Sequence, residues 1–265
     1  MELGLMNKTA LITGGSKGIG KATAYRLSLE GANVAICARN EGNLLKAAEE
    51  IRNQTKGVIL PIVSDISRPA DVIELVKVTT EKLGGLDILI NNAGTSSAMP
   101  FEKVDDEEWM HDLDLKLFSA IRLIRAVLPY MRSAGGGRII NITTPAGKAP
   151  GPSSTPTSVS RAAGIALTKA LSKDLAKDNI LVNTVCIGLI KSGQHEDRYQ
   201  KALETEPKLT LNEYYERLAL GRGVPLGRVG EATEAGDVIA FLASSNASYI
   251  TGTSINIDGG SSAII

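Results

Sequence analysis

Leu11-Ile12-Thr13-Gly14-Gly15-Ser16-Lys17-Gly18-Ile19-Gly20 carries an apolar strand into a glycine-rich turn and straight out into a helix. Thr9 to Ile12 reads as a short buried strand. Gly14, Gly18 and Gly20 stand where a tight turn and a close backbone approach call for residues without a Cβ. From Ile19 the pattern becomes helical, with Ala22, Ala24, Leu27 and Leu29 along Lys21 to Glu30. A helix that begins there aims its free N–H groups and its dipole at the turn, which makes the turn a phosphate site. The spacing is G-x-x-x-G-x-G rather than G-x-G-x-x-G, and taken alone it also fits an ordinary strand-to-helix turn.

The same residues hold a rival reading. Gly14-Gly15-Ser16-Lys17-Gly18 satisfies G-x-S-x-G, the nucleophile elbow of α/β hydrolases. Position speaks against it, because the elbow normally follows several strands and here it follows the first. The only histidines available to complete a triad are His111 and His195.

Outward from the turn, strands and helices alternate. Asn33 to Ala38 reads as a second strand and Glu41 to Gln54 as a second helix. Val58 to Val63 is a third strand, followed by a helix from Ala70 to Leu83, and Leu86 to Ile90 is a fourth strand ending in Asn91-Asn92-Ala93-Gly94. A long helix spans Asp106 to Arg132 and contains Pro129, which should end or kink it. Arg138 to Ile142, Ile180 to Cys186 and Thr253 to Ile257 are further strands, with helices at Ser158 to Ala176 and Glu231 to Leu242. This alternation implies a parallel sheet covered on both faces by right-handed crossovers, a doubly wound Rossmann-type α/β fold. Ser192 to Val224 is irregular and polar, and as an insertion beyond a strand's C-terminal end it reads as a substrate lid. Pro145 to Pro156 holds four of the ten prolines, which stiffen one wall of the site.

Composition bounds the partners. The 265 residues are 43% hydrophobic and 22% charged with a formal net charge of zero, which fits one α/β domain over residues 1–265. Zero net charge exerts no pull toward nucleic acid or an anionic membrane. Cys37 and Cys186 fall in apolar runs and read as buried reduced thiols, and the N-terminus has too short an apolar run for a signal peptide, so a cytoplasmic chain is expected. With two His and two Cys scattered along the chain, no metal site is expected.

The end of the second strand tests the cofactor. An acidic residue there suits the ribose 2′-OH of NAD, and an arginine suits a 2′-phosphate. Ala38 holds the place and Arg39 follows at once; with Lys17 in the turn, two cations flank the spot and favour NADP(H).

Thr13-Gly14-x-x-x-Gly18-Ile19-Gly20, Asp65 after the third strand, Asn91-Asn92-Ala93-Gly94, Asn141-Ile142, Ile250-Thr251-Gly252 and Asp258-Gly259-Gly260 together resemble the short-chain dehydrogenase/reductase family. The resemblance covers essentially the whole chain. It implies a seven-stranded parallel sheet, hydride transfer between a nicotinamide and a small-molecule carbonyl or alcohol, and a homo-oligomer, commonly a tetramer. It places Ser16 in the phosphate turn, Asp65 with Ile66 at the adenine, Asn91, Ala93 and Gly94 along the adenine ribose, and Gly188 and Ile190 at the nicotinamide.

The family's catalytic signature does not carry over. Members usually have Tyr-x-x-x-Lys at the start of the helix near Ser158, a serine thirteen residues before that tyrosine, and an asparagine in the preceding long helix. Here Thr157 takes the tyrosine place, Arg161 the lysine place, Thr144 the serine place and Lys116 the asparagine place, and no Tyr-x-x-x-Lys occurs anywhere in the chain. A threonine hydroxyl is too weak an acid to copy the tyrosine, and an arginine with a pKa above roughly 12 does not relay protons. A positioned acid or base is worth about 10²–10⁴-fold, whereas holding two reactants together supplies about 7–11 kcal/mol. The substitutions therefore predict a slow or altered enzyme, with Lys116 or the lid residues His195, Tyr199, Tyr214 and Tyr215 as replacement acids. The alternative reading is an NADP(H)-binding protein that has lost catalysis and acts as a sensor or assembly partner.

Overall fold

The computed structural model describes residues 2–264. Seven strands, β1 (Thr9–Thr13), β2 (Asn33–Ala38), β3 (Ile59–Val63), β4 (Ile88–Asn91), β5 (Gly137–Thr143), β6 (Ile180–Ile187) and β7 (Ser254–Ile257), form one sheet in the order 3-2-1-4-5-6-7. Every neighbouring pair is parallel. Because successive side chains of a strand face opposite ways, each central strand feeds two cores. Ala10, Ile12, Val34, Ile36, Ile88 and Ile90 pack on one face with Leu27 of α1 (Gly18–Leu29), Ile51 of α2 (Glu41–Arg52) and Ile239 of α9 (Ala232–Ala243). Leu11, Ala35, Leu89 and Ile139 pack on the other with Leu75 of α3 (Pro69–Leu83) and Leu123 of α5 (Ser119–Ser133). The seven-stranded, doubly covered fold expected from the sequence is the fold observed.

Local chemistry sets the helix ends. Asn40 accepts from Asn43 N–H at 2.8 Å to start α2, and Asp105 accepts from Glu108 N–H at 2.8 Å to start α4 (Asp106–Leu113). Pro69 opens α3 at a position whose N–H needs no partner, and Gly84 closes it with φ +81°.

The long helix differs from expectation. Pro129 neither ends nor interrupts it, since α5 continues to Ser133. The carbonyl that the proline leaves without an N–H belongs to Arg125, and both residues are exposed to water. The interruption comes earlier, in a π-helical turn over Asp114–Phe118 between α4 and α5. Several other boundaries move by one or two residues; Leu86, for instance, is buried but precedes the paired part of β4, and the helix expected from Ser158 begins one residue sooner as α6 (Thr157–Asp174).

Residues 192–224 are also more ordered than their polarity suggested. They hold α7 (Gly193–Leu203) and α8 (Leu211–Gly221), the latter opened by a capping box in which Thr210 and Glu213 satisfy each other's backbone N–H groups. Tyr215, Ala219, Val224 and Val229 form a small apolar cluster of their own beneath them. Among the described residues, no helix is long and apolar enough to cross a membrane.

Ile12 is fully buried on β1, flanked by β2 and β4. Ile12→Ala is expected to cost about 2–5 kcal/mol of unfolding free energy, read as a lower urea midpoint at unchanged slope.

Candidate active site

The sequence order reverses between β1 and β4, and the crevice outside their carboxyl ends is where an open α/β sheet takes a ligand. Side chains and backbone lock its two walls together. Thr13 Oγ1 accepts from the N–H groups of Asn92 and Ala93, each at 3.0 Å, while Asn92 Nδ2 donates to Thr13 O at 2.9 Å and Gly14 O at 3.2 Å. The glycine turn is pressed against this clamp. A Cβ on Gly20 would overlap the Gly14 carbonyl oxygen and Asn92 Nδ2, and Gly14 itself has φ +67°. No side chain caps the first N–H groups of α1, so this twelve-residue helix begins with open donors above the turn. Ile19 sends its side chain into the core and leaves its backbone to the turn. An open helix start cradled by glycines that tolerate no Cβ fits a pyrophosphate.

The remaining cofactor candidates surround that cradle unevenly. Lys17 and Arg39 are exposed, and among the described residues neither makes an ion pair. Asp65 Oδ1 accepts from Ser67 Oγ at 2.7 Å and from Ser67 N–H at 3.1 Å; these bonds, with the charges of Arg39 and Arg68, hold its carboxyl below the usual range. Gly188 abuts Asp258 too closely for a Cβ, and the Ile190 side chain is buried in the core, so only its backbone is left to meet a ligand. Ser192 lies 3.7 Å from where a Gly18 Cβ would be, which brings the start of α7 over the turn.

Deeper in the crevice, polar groups converge from α4, the π turn and α6. Lys116, in the π turn, is buried with its side chain out of contact with water. Its ammonium is paired with Asp112 and donates to Thr157 Oγ1 at 3.0 Å. Ser97 N–H also donates to Thr157 Oγ1, at 3.0 Å, and Ser160 Oγ donates to the second Asp112 oxygen at 2.6 Å. Arg161 Nη1 donates to Ile142 O at 2.7 Å and its guanidinium packs against Gly94. Lys116 and Arg161 line one cavity with Asn91, Ala93, Ile66 and Asn141. Asn91 and Arg161 are both on its wall, and among the described residues Asn91 Oδ1 and Arg161 Nε find no hydrogen-bond partner. Burial pulls the Lys116 ammonium below its ordinary value, Asp112 pulls it back up and Arg161 lowers it again. Burial also brings Arg161 down to about 10, lower than its sequence alone implied, though it stays cationic at neutral pH.

The structure thus brings together Lys116, Thr157 and Arg161. Thr144 lies on the loop after β5, its buried Oγ1 without a partner. Asp112 and Ser160 are members that the sequence reading passes over. The signal for Asp112 is its i,i+4 spacing to Lys116 on a helix. The lid candidates stand apart from this cluster: Tyr199 donates to Leu209 O at 2.9 Å, Tyr214 packs between Tyr199 and Tyr215, and Tyr215 is buried under Lys191. His195 is half-buried with Nδ1 unpartnered, and burial, Arg198 and Arg222 hold it below its ordinary value.

A model of the short chain dehydrogenase family matches residues 8–202. The 3-oxoacyl-(acyl-carrier-protein) reductase FabG of Thermotoga maritima is 36% identical over 259 residues, 97% of this chain and 98% of its own length. Among solved structures, L-sorbose reductase from Gluconobacter frateurii, complexed with NADPH and L-sorbose, is similar with a TM-score of 0.95 at 31% identity, each chain covered in full at 100%. An NADPH-bound short chain oxidoreductase from Pseudomonas aeruginosa PAO1 containing an atypical catalytic center is similar with a TM-score of 0.91 at 33% identity, over 98% of this chain and 99% of that one. The chain belongs to the short-chain dehydrogenase/reductase family. That membership removes the hydrolase elbow at Gly14 to Gly18.

Gly20→Ala is expected to weaken dinucleotide binding by more than about tenfold, 1.4 kcal/mol, in a calorimetric titration, with an unchanged far-ultraviolet spectrum.

Proposed function

We propose that this protein is an NADP(H)-dependent oxidoreductase that interconverts a small-molecule carbonyl and its alcohol through an atypical catalytic site. The observation that carries the reading is the charge balance deep in the crevice: two cations, Lys116 and Arg161, share one buried carboxylate, Asp112. One positive charge is left over, next to a cavity whose wall holds unpartnered polar atoms. A carbonyl oxygen gains negative charge as its carbon is reduced, and a fixed surplus of positive charge in a dry site stabilises that change.

The residues divide the work. The backbone of Gly14, Ser16, Gly18, Ile19 and Gly20 would hold the pyrophosphate, Lys17 and Arg39 the 2′-phosphate, Asp65 and Ile66 the adenine, and Asn91, Ala93 and Gly94 the ribose. Gly188 and Ile190 would frame the nicotinamide. Bound there, NADPH supplies the hydride. Thr144 Oγ1, buried and without a partner, is free to donate to the substrate oxygen. Thr157, held by Lys116 and Ser97, is the second hydroxyl at that oxygen. Residues 192–224, with α7 starting beside Gly18, would act as the lid that selects the substrate. The NADPH-bound relatives support the cofactor choice, and the two exposed cations support it from this chain. Nothing in these likenesses favours a catalytically idle binder.

Titration with NADPH and NADH, followed by a panel of aldehydes and ketones, tests the reading. NADPH is expected to bind more tightly than NADH. Arg39→Asp is expected to weaken NADPH by about 10–150-fold, the value of one or more hydrogen bonds to a charged group, and to spare NADH. Equal affinity for both nucleotides in the unsubstituted protein, or no oxidation of NADPH by any carbonyl, would sink the proposal.

A further inference from the structure

Resting on that activity, we infer that the proton of the reduction is delivered by the Thr157 hydroxyl and replaced from Lys116, with Asp112 as the positioning residue that keeps Lys116 charged. Thr157 Oγ1 accepts two hydrogen bonds, from Lys116 Nζ at 3.0 Å and from Ser97 N–H at 3.0 Å. A hydroxyl oxygen has two lone pairs, so both are used, and only its own hydrogen is left. Among the described residues that hydrogen finds no acceptor, although Thr157 is only 6% exposed. Among the described residues Asp112 accepts from Lys116 and from Ser160 but not from the Thr157 hydroxyl. A buried O–H without an acceptor is costly unless a ligand completes it. The ligand that suits a donor here is the carbonyl oxygen.

The step balances. With NADPH bound, its hydride and two electrons would pass to the carbonyl carbon as the C=O π bond opens, leaving the nicotinamide oxidised. The oxygen takes the Thr157 proton as that negative charge develops. Thr157 Oγ1 takes a proton from the Lys116 ammonium along the existing hydrogen bond, so no free threonine alkoxide forms. Lys116 is left as a neutral amine and regains its proton back through the Thr157 hydroxyl, which takes one from water as product leaves. A free threonine hydroxyl is too weak an acid for this work, and the ammonium behind it supplies the acidity. The charged groups facing Lys116 are Asp112 from α4 and Arg161 from α6, while Thr157 and Ser160 from α6 and Asn91 and Asn141 from the ends of β4 and β5 are neutral. Cys186 of β6 faces Arg161 rather than Lys116.

The sign of the pH dependence follows. Reduction requires Lys116 protonated, so kcat/KM at saturating NADPH falls as pH rises through the Lys116 titration, below the ordinary lysine value. Asp112→Asn removes the partner that favours the charged form and moves that alkaline limb about 1–3 pH units lower. Thr157→Val lowers kcat by about 10²–10⁴-fold and Thr157→Ser keeps it within about tenfold, with NADPH affinity unchanged in both. A ¹⁵N NMR titration of the Lys116 amine without cofactor reads the same midpoint independently of turnover. It should lie below the ordinary lysine value and drop again in Asp112→Asn.

Wild-type activity with an alkaline limb that Asp112→Asn leaves in place overturns the relay alone, as does Thr157→Val retaining full kcat or Lys116 titrating like a free lysine. A wild-type protein idle on every carbonyl overturns the activity, and the relay with it.

Discussion

The clamp between Thr13 and Asn92 is the contact on which the site depends. It joins the carboxyl ends of β1 and β4, the two strands between which the sheet reverses its sequence order. Four hydrogen bonds from one threonine and one asparagine-alanine pair fix how far the glycine turn stands from the β4 loop. The glycines are then a consequence: with Asn92 Nδ2 reaching both Thr13 O and Gly14 O, no room is left for a Cβ on Gly20. A second buried chain runs away from the clamp along the same edge. Asn91 Nδ2 donates to Asn141 Oδ1 at 2.8 Å, Asn141 Nδ2 donates to Thr168 Oγ1 at 2.9 Å, and Thr184 Oγ1 donates to Thr168 Oγ1 at 2.8 Å. These bonds tie β4, β5, β6 and α6 into one frame, so the start of α6 and its Thr157 are held at a fixed depth in the crevice. Buried polar groups satisfied in this way specify one arrangement of the strands that apolar packing alone would leave looser.

The π turn over Asp114–Phe118 is the second structural feature that shapes the candidate site. A wide turn inside a helix is a common device at functional sites, because it re-aims one side chain without breaking the helix axis. Lys116 sits in it and is delivered into the crevice, while Asp112, one turn earlier, meets its ammonium. Burying a lysine and an arginine together is expensive, and a single carboxylate offsets only part of the cost. The fold supports this because the rest of the sheet is covered on both faces by apolar cores that contribute most of the stability.

How much of this was legible follows from what each kind of residue responds to. The strands could be read because a doubly covered parallel sheet makes them nearly continuous apolar runs, as in Ile88 to Ile90 and Ile139 to Ile142. The glycine turn could be read because its constraint is local. Pro129 does not end the helix, because the freed carbonyl of Arg125 is exposed to water, which only the packed helix decides. The helices of residues 193–221 were hidden because their faces are short and largely polar, and their order comes from a capping box and a few tyrosine contacts. The candidate cluster in the crevice was half legible. Sequence spacing pointed to Lys116, Thr144, Thr157 and Arg161 as unusual, but the partners that give Lys116 its state lie on other elements, and Asp112 carries no motif.

Of the four unusual positions, Lys116 and Thr157 are joined directly, and Arg161 acts on Lys116 through its charge. A threonine at 157 is shorter than a tyrosine by a whole ring, and a lysine at 116 is longer than an asparagine by two atoms, so the polar end of the site has moved from α6 toward the π turn. The 3.0 Å bond between Lys116 Nζ and Thr157 Oγ1 is where the two changes meet. Under the proposed function, the positive charge that meets the carbonyl oxygen comes from the π turn as well as from α6.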